Sequence, residues 1–194
     1  MSGEAVLRPL SASDSLEALT ALLHRAYARL GAMGLNFTAV DQSVETTRAR
    51  FASGQGFVLD DDGTLVGCVV VAGPFARERH PGALRSAWYL RRDVAHLHQL
   101  AVDPSRQGQR LGDRLVAACE AWAREHGFRA IALDTAEPAQ HLRARYARLG
   151  YTETDRVQWD GKRYASLILV KPLAGAAPTP DDPEHRHAMT LATA

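Results

Sequence analysis

Cysteine is nearly absent from this chain, with two among 194 residues. Cys68 falls in a strand-like run and Cys119 in a helix-like one, without pairing spacing. That excludes a disulfide scaffold and predicts buried thiols in a reducing compartment. Long hydrophobic runs are missing too. The opening MSGEAVLRPL has no extended apolar region, and no stretch approaches the roughly 20 apolar residues of a membrane span, so a cytoplasmic protein without a membrane partner is expected. An excess of one charge is the third absence: 23 basic against 22 acidic residues give a formal net charge of +1. With both signs interspersed there is no electrostatic footprint for nucleic acid. Internal repeats are not found, and the length suits one domain with a real core.

What is there is ordered by periodicity. Residues 5–10 predict a short strand. Leu16, Leu19, Leu22, Leu23, Ala26, Tyr27 and Leu30 recur at three-four spacing and predict an amphipathic helix over 14–30, ended by Gly31 and Gly34. A second helix is expected over about 41–51. Strands at 57–59 and 65–71 flank Asp60-Asp61-Asp62-Gly63, a hairpin signal. Residues 74–92 read as polar and irregular, with the runs Arg77-Glu78-Arg79-His80 and Arg91-Arg92-Asp93 as solvated surface. A central strand over 95–102 leads through Asp103-Pro104 into a helix with Leu111, Leu115, Ala118, Cys119 and Trp122 on one face, ending at His126-Gly127. A strand over 128–133 follows, then a helix with Ala139, Leu142, Tyr146 and Leu149 on one face and Gly150 as left-handed cap. Strands at 157–159 and 164–170 about Asp160-Gly161 form a second hairpin. A strand–helix–strand–helix centre with antiparallel flanks predicts a mixed α+β sheet. The domain is expected over 1–173. The Ala/Pro/Asp/His-rich residues 174–194 are read as a flexible tail whose His185 and His187 lack a metal-binding cluster.

The loop Gln107-Gly108-Gln109-Arg110-Leu111-Gly112 stands where the helix after the central strand begins. The first N–H groups of a helix have no internal partner and sit at a positive dipole end, and glycines admit a ligand close to the main chain. The arrangement suits a phosphate or pyrophosphate. A P-loop would place Lys and Ser or Thr after the last glycine, whereas Gly112 is followed by Asp113 and Arg114. A dinucleotide fingerprint needs three closely spaced glycines after a strand, and here there are two, four apart.

The loop resembles the acyl-CoA loop of the GCN5-related N-acetyltransferases, Gln/Arg-x-x-Gly-x-Gly/Ala, through Gln107, Arg110 and Gly112, with Gly108 in a second position often glycine there. Arg110 departs from the pattern by standing at the usual middle glycine, so its side chain must point away from the pyrophosphate or touch it as an extra cation. Arg145-Tyr146-Ala147-Arg148-Leu149-Gly150-Tyr151 is similar to the Leu-Tyr-x-x-x-Gly-Phe that closes the family's fourth helix. His96-Leu97-His98-Gln99-Leu100-Ala101-Val102 is similar to the strand of arylalkylamine N-acetyltransferases. The resemblance covers about residues 5–173. It implies a three-layer fold with a mostly antiparallel sheet, splayed where acyl-CoA enters, and helices on both faces.

The residues themselves offer no metal-binding cluster, so no metal is expected. The same resemblance implies acetyl-CoA as co-substrate. Its pyrophosphate would lie on the amides of Gln107, Gly108, Gln109, Arg110, Leu111 and Gly112, and its pantetheine arm along the main chain of Leu100, Ala101 and Val102. The N–H of Leu100 is then a candidate oxyanion donor. His96 and His98 are two apart on a strand and share a face, and a pKa near 6.5 suits a proton relay. Either or both are candidate bases; the alternative is that they cap a pocket or sit in a polar layer. Tyr146 is the family-matched acid for the leaving thiolate, unless it is core with its hydroxyl satisfied. Neither cysteine is placed near the motif strand, which disfavours an acetyl-cysteine route. Phe37, Trp88, Tyr89 and Trp159 are read as packing, although acceptors enter the family from that side. The expected activity is N-acetylation of a small primary amine. A protein N-terminus or lysine as acceptor, and a non-catalytic acyl-CoA-binding module, stand as alternatives, and a homodimer is left open.

Overall fold

In the computed structural model, residues 4–74 and 86–173 are described; the tail at 174–194, with His185 and His187, and the run Arg77-Glu78-Arg79-His80 lie outside them. Asp62 and Gly63 both take positive φ (49° and 84°), as a two-residue type I′ turn requires. The chain therefore reverses tightly between β2 (Gln55–Asp61) and β3 (Thr64–Ala72). β1 (Val6–Pro9) pairs with β2, and β4 (Val94–Val102) with β3, all antiparallel. A second antiparallel ribbon comprises β5 (Ala130–Ala136), β6 (Thr152–Val157) and β7 (Ser166–Pro172), with β7 in the middle. The strand order across the sheet is β1-β2-β3-β4-β5-β7-β6. The ribbons meet through a parallel pairing of β4 with β5 over Val94↔Ala130, Ala95↔Ile131 and His96↔Ala132. Past those rungs the two strands part.

Among the described residues, four α-helices cover the sheet. α1 (Leu16–Ala32) and α2 (Val44–Phe51) are each started by a serine: Ser15 Oγ accepts from Ala18 N–H and Ser43 Oγ from Thr46 N–H. The apolar stripe of α1, Leu19, Leu22 and Leu23, packs with Phe51 on Val58, Cys68 and Val70 of one sheet face. α3 (Leu111–Glu125) and α4 (Gln140–Arg148) lie on the other face, where Leu111, Leu115, Cys119 and Tyr146 meet Val69, Leu97 and Ile131. Alternate residues of β3 thus serve opposite layers, as strand geometry dictates. The result is the expected three-layer mixed α/β fold. No described helix is long and apolar enough to cross a membrane.

Of the boundaries that differ from the sequence pattern, three have a plain physical cause. α1 runs through Gly31, where a Cβ would lie 2.9 Å from Val40 Cγ1, so this glycine serves close packing and does not stop the helix. Gly34, with φ 81°, takes the left-handed turn after it. α2 begins at Val44, because Ser43 supplies the cap. β6 begins at Thr152, upstream of the expected 157–159, and Trp159 sits in a loop. As an edge strand exposed on both faces, Thr152 to Arg156 carries no apolar alternation to read.

Candidate active site

The site is built around a bulge in β4. Cys68 pairs with Ala101 and Val70 with His98, so Gln99 and Leu100 together oppose Val69. Gln99 has φ 56°, a left-handed conformation that costs a non-glycine residue about 1–3 kcal/mol and persists only when its surroundings enforce it. Three elements do so. Gln42 Nε2 donates to Gln99 Oε1 and to Thr47 Oγ1 (both 2.8 Å), and Thr47 Oγ1 lies 2.7 Å from Thr20 Oγ1 of α1. The Cys68 thiol lies 3.5 Å from the Gln99 carbonyl, and the Tyr27 hydroxyl donates to the Leu100 carbonyl at 3.0 Å. The bulge also reverses the alternation. Val94 packs on one layer, whereas Leu100 and Val102 pack on the layer of α3.

Beside the bulge, where β4 and β5 part, lies a cavity of about 790 Å³. His96, His98, Leu100 and Tyr146 all line it, so the two histidines, the bulge and the α4 tyrosine are brought together. The histidines differ sharply. His96 is 1% exposed and its ring stacks on Tyr89 at 4.5 Å and 9°. Burial lowers its pKa to about 3, so it is neutral at physiological pH. His98 is half-buried, with Nε2 3.2 Å from Ser53 Oγ. Tyr146 is buried edge-on to Tyr151, and burial pushes its pKa up to about 12, so it holds its proton at neutral pH.

The expected phosphate loop has the conformation its sequence only partly announces. Gly108 and Arg110 have φ 82° and 57°. Arg110 therefore occupies a left-handed position, which is why glycine is the easier residue there. Its side chain is 85% exposed, with Nε 3.5 Å from the Asp113 carboxylate. The first amides bonded into α3 are those of Asp113 and Arg114, both to the Arg110 carbonyl (3.0 and 3.2 Å). The amides of Gln109, Arg110, Leu111 and Gly112 precede that ladder at the positive end of the helix. Gly112 has its own reason: a Cβ there would collide with the Arg145 guanidinium, which crosses from α4 and bonds Asp113 at 3.0 Å. The two separated sequence motifs thus meet at one helix start. Glycine at 108 with open space about it, outward amides and flanking arginines fit a pyrophosphate-bearing group.

Several lining residues carry no readable motif. Phe37, Tyr89 and Trp159, read as packing, line the cavity; Trp88 instead packs beneath the Arg91 guanidinium, 4.8 Å from its ring centre. Asp134 of β5 receives the Tyr89 hydroxyl on Oδ1 and Trp159 Nε1 on Oδ2, both at 3.1 Å. Its only sequence signal is a lone acid in the apolar run Ala130-Ile131-Ala132-Leu133. Tyr27, Arg50 and Lys162 also line the cavity, and Tyr27 was hidden inside the apolar stripe of α1. One expectation is corrected: Cys68 is adjacent to the motif strand, paired with Ala101. It is fully buried, and burial raises its pKa to about 12, so it remains a thiol and a poor nucleophile. Among the described residues no group of three His, Cys, Asp or Glu side chains is placed to hold a metal ion.

Comparison with known proteins agrees with this geometry. A family model of the acetyltransferase (GNAT) family matches residues 17–151. No curated protein sequence gives a significant match. The ribosomal-protein-S18-alanine N-acetyltransferase of Escherichia coli superposes with TM-score 0.65 at 18% identity, covering 92% of this chain and 98% of its own. A GNAT family acetyltransferase from Elizabethkingia anophelis, solved with acetyl-CoA bound, superposes with TM-score 0.61 at 16% identity over 88% and 99% of the two chains. Ard1 from Thermoplasma volcanium gives TM-score 0.65 at 13% identity over 88% and 99%. At these identities the likeness is one of fold.

Proposed function

This chain belongs to the acetyltransferase (GNAT) family, and from that membership we propose that it is an acetyl-CoA-dependent N-acetyltransferase whose acceptor, a small primary amine, attacks the thioester directly. The observation that carries the reading is the convergence of His98, Tyr146 and the β4 bulge on one cavity at the parting of the sheet. Acetyl-CoA supplies the activated acetyl group. The amides of Gly108 to Gly112 hold its pyrophosphate, the Gln107 N–H being turned to the Pro104 carbonyl, and the main chain of Leu100, Ala101 and Val102 receives its arm. The bulge withdraws Leu100 from the regular ladder, and its N–H donates to the thioester oxygen, a contribution of about 3 kcal/mol when preorganised.

His98 takes the proton from the incoming ammonium. It lines the cavity, with Nε2 3.2 Å from Ser53 Oγ. His96, held neutral with a pKa of about 3, is the weaker base and forms a rigid wall against Tyr89. Tyr146, neutral at pH 7, gives its proton to the departing sulfur. Burial of both thiols leaves no cysteine able to carry the acetyl group.

The test begins with calorimetric titration of acetyl-CoA, with ATP as control. Micromolar binding of acetyl-CoA alone is expected, and no binding overturns the reading. His98→Ala and Tyr146→Phe are then expected to lower kcat by about 100-fold while the Kd for acetyl-CoA stays within about twofold. Unchanged turnover in either variant removes that residue from the mechanism.

A further inference from the structure

The cavity is lined by charges of both signs. At the parting of β4 and β5, Asp134 presents a carboxylate oriented by Tyr89 and Trp159. Those two rings stand edge to face, 5.7 Å apart at 89°. A carboxylate beside aromatic rings is a setting for an ammonium group. Arg50, from the last turn of α2, and Lys162, from the loop between β6 and β7, supply the opposite sign.

Arg50 and Lys162 converge on one hydroxyl. Lys162 Nζ donates to Thr38 Oγ1 at 3.1 Å and to the Asn36 carbonyl at 2.7 Å, and Arg50 Nη2 lies 3.5 Å from the same Thr38 oxygen. Among the described residues neither cation has a carboxylate within ion-pair distance, although most other arginines of the fold do. Lys162 is one of only two lysines in the chain, and the other, Lys171, is bound by both oxygens of Glu120. Burial, and next the proximity of Arg50, lower the Lys162 pKa, outweighing the opposite pull of Asp134 and Asp41. Aromatic rings line the same cavity: Phe37 lies 5.2 Å from Tyr164 and 5.6 Å from Tyr27.

Resting on the acetyltransferase reading of this cavity, we propose that the acceptor is an amine that also bears a carboxylate, its ammonium directed by Asp134 and its carboxylate received by Arg50, Lys162 and Thr38. The class is a free amino acid or a close relative with an apolar side chain, because aromatic rings wall the same cavity. A desolvated anion held by a guanidinium and an ammonium gains charge-assisted hydrogen bonds that a decarboxylated amine forfeits. Discrimination therefore falls on the carboxylate and not on the amine.

A matched set tests this: an aromatic amino acid, its carboxamide and its decarboxylated amine. Each is assayed for thiol release with acetyl-CoA and also titrated calorimetrically onto the protein alone. The amino acid is expected to have a kcat/KM at least tenfold above both analogues. Arg50→Gln and Lys162→Met are expected to raise its KM and calorimetric Kd by about tenfold each, with little change for the decarboxylated amine and none in acetyl-CoA binding. Equal or better use of the decarboxylated amine overturns the proposal and leaves the acetyltransferase reading intact. Should acetyl-CoA fail to bind, the wider reading falls, and the direct titrations still decide the pocket: selective binding of the amino acid, weakened in both variants, supports it, and equal binding of the three overturns it.

Discussion

At the residue scale, the two histidines of β4 show how neighbours divide identical side chains. Period-two geometry made them a same-face pair in the sequence. Their unequal burial was not legible, because Tyr89 arrives from a separate turn and Ala132 from the next ribbon. The consequence of burying His96 can be measured. Its folded pKa of about 3 lies below the ordinary 6.5, so between those values the unfolded chain binds the extra proton. Stability from this group is fully present above pH 6.5 and is lost as pH falls toward 3, at up to roughly 1.4 kcal/mol per unit. Urea melts from pH 7 to pH 4.5 should show a falling midpoint, with a shallower slope in His96→Gln. An identical slope in that variant would assign the acid sensitivity elsewhere. Arg110 gives a parallel lesson. The sequence marked it as a departure from a glycine position, and its φ of 57° gives the reason glycine is favoured there.

At the element scale, the bulge in β4 is held from outside its own strand. Nothing in His96-Leu97-His98-Gln99-Leu100-Ala101-Val102 distinguishes a bulged strand from a straight one, since Gln99 is not a glycine. The left-handed turn depends on Gln42, which precedes α2, and through Thr47 on Thr20 of α1. Gln42→Leu leaves Gln99 Oε1 buried without its donor and should cost about 1–3 kcal/mol in urea denaturation. If the bulge sets the direction of the Leu100 N–H, kcat should fall as well, with acetyl-CoA affinity nearly unchanged; a variant losing stability but keeping its kcat would detach the bulge from catalysis. The helices around it were legible because their apolar stripes repeat at three-four spacing. β6 was not, because an edge strand exposed on both faces has nothing to bury.

At the scale of the whole molecule, the order of elements and the mixed sheet followed from periodicity, whereas the three layers and the splay came only through family resemblance, since a missing pairing leaves no mark on composition. A ligand filling that splay binds the folded state alone, so acetyl-CoA at about a hundred times its Kd should add about 2.7 kcal/mol. For a domain of this size that raises Tm by roughly 5–10 °C, readable by differential scanning fluorimetry, and ATP should give no shift. The strand order holds one more consequence. Among the described residues, every strand before Gly127 belongs to the β1–β4 ribbon and every strand after it to the β5–β7 ribbon. The sheet is two successive lengths of chain laid side by side and stitched by three rungs, and its reactive cleft is the unstitched part of their common hem.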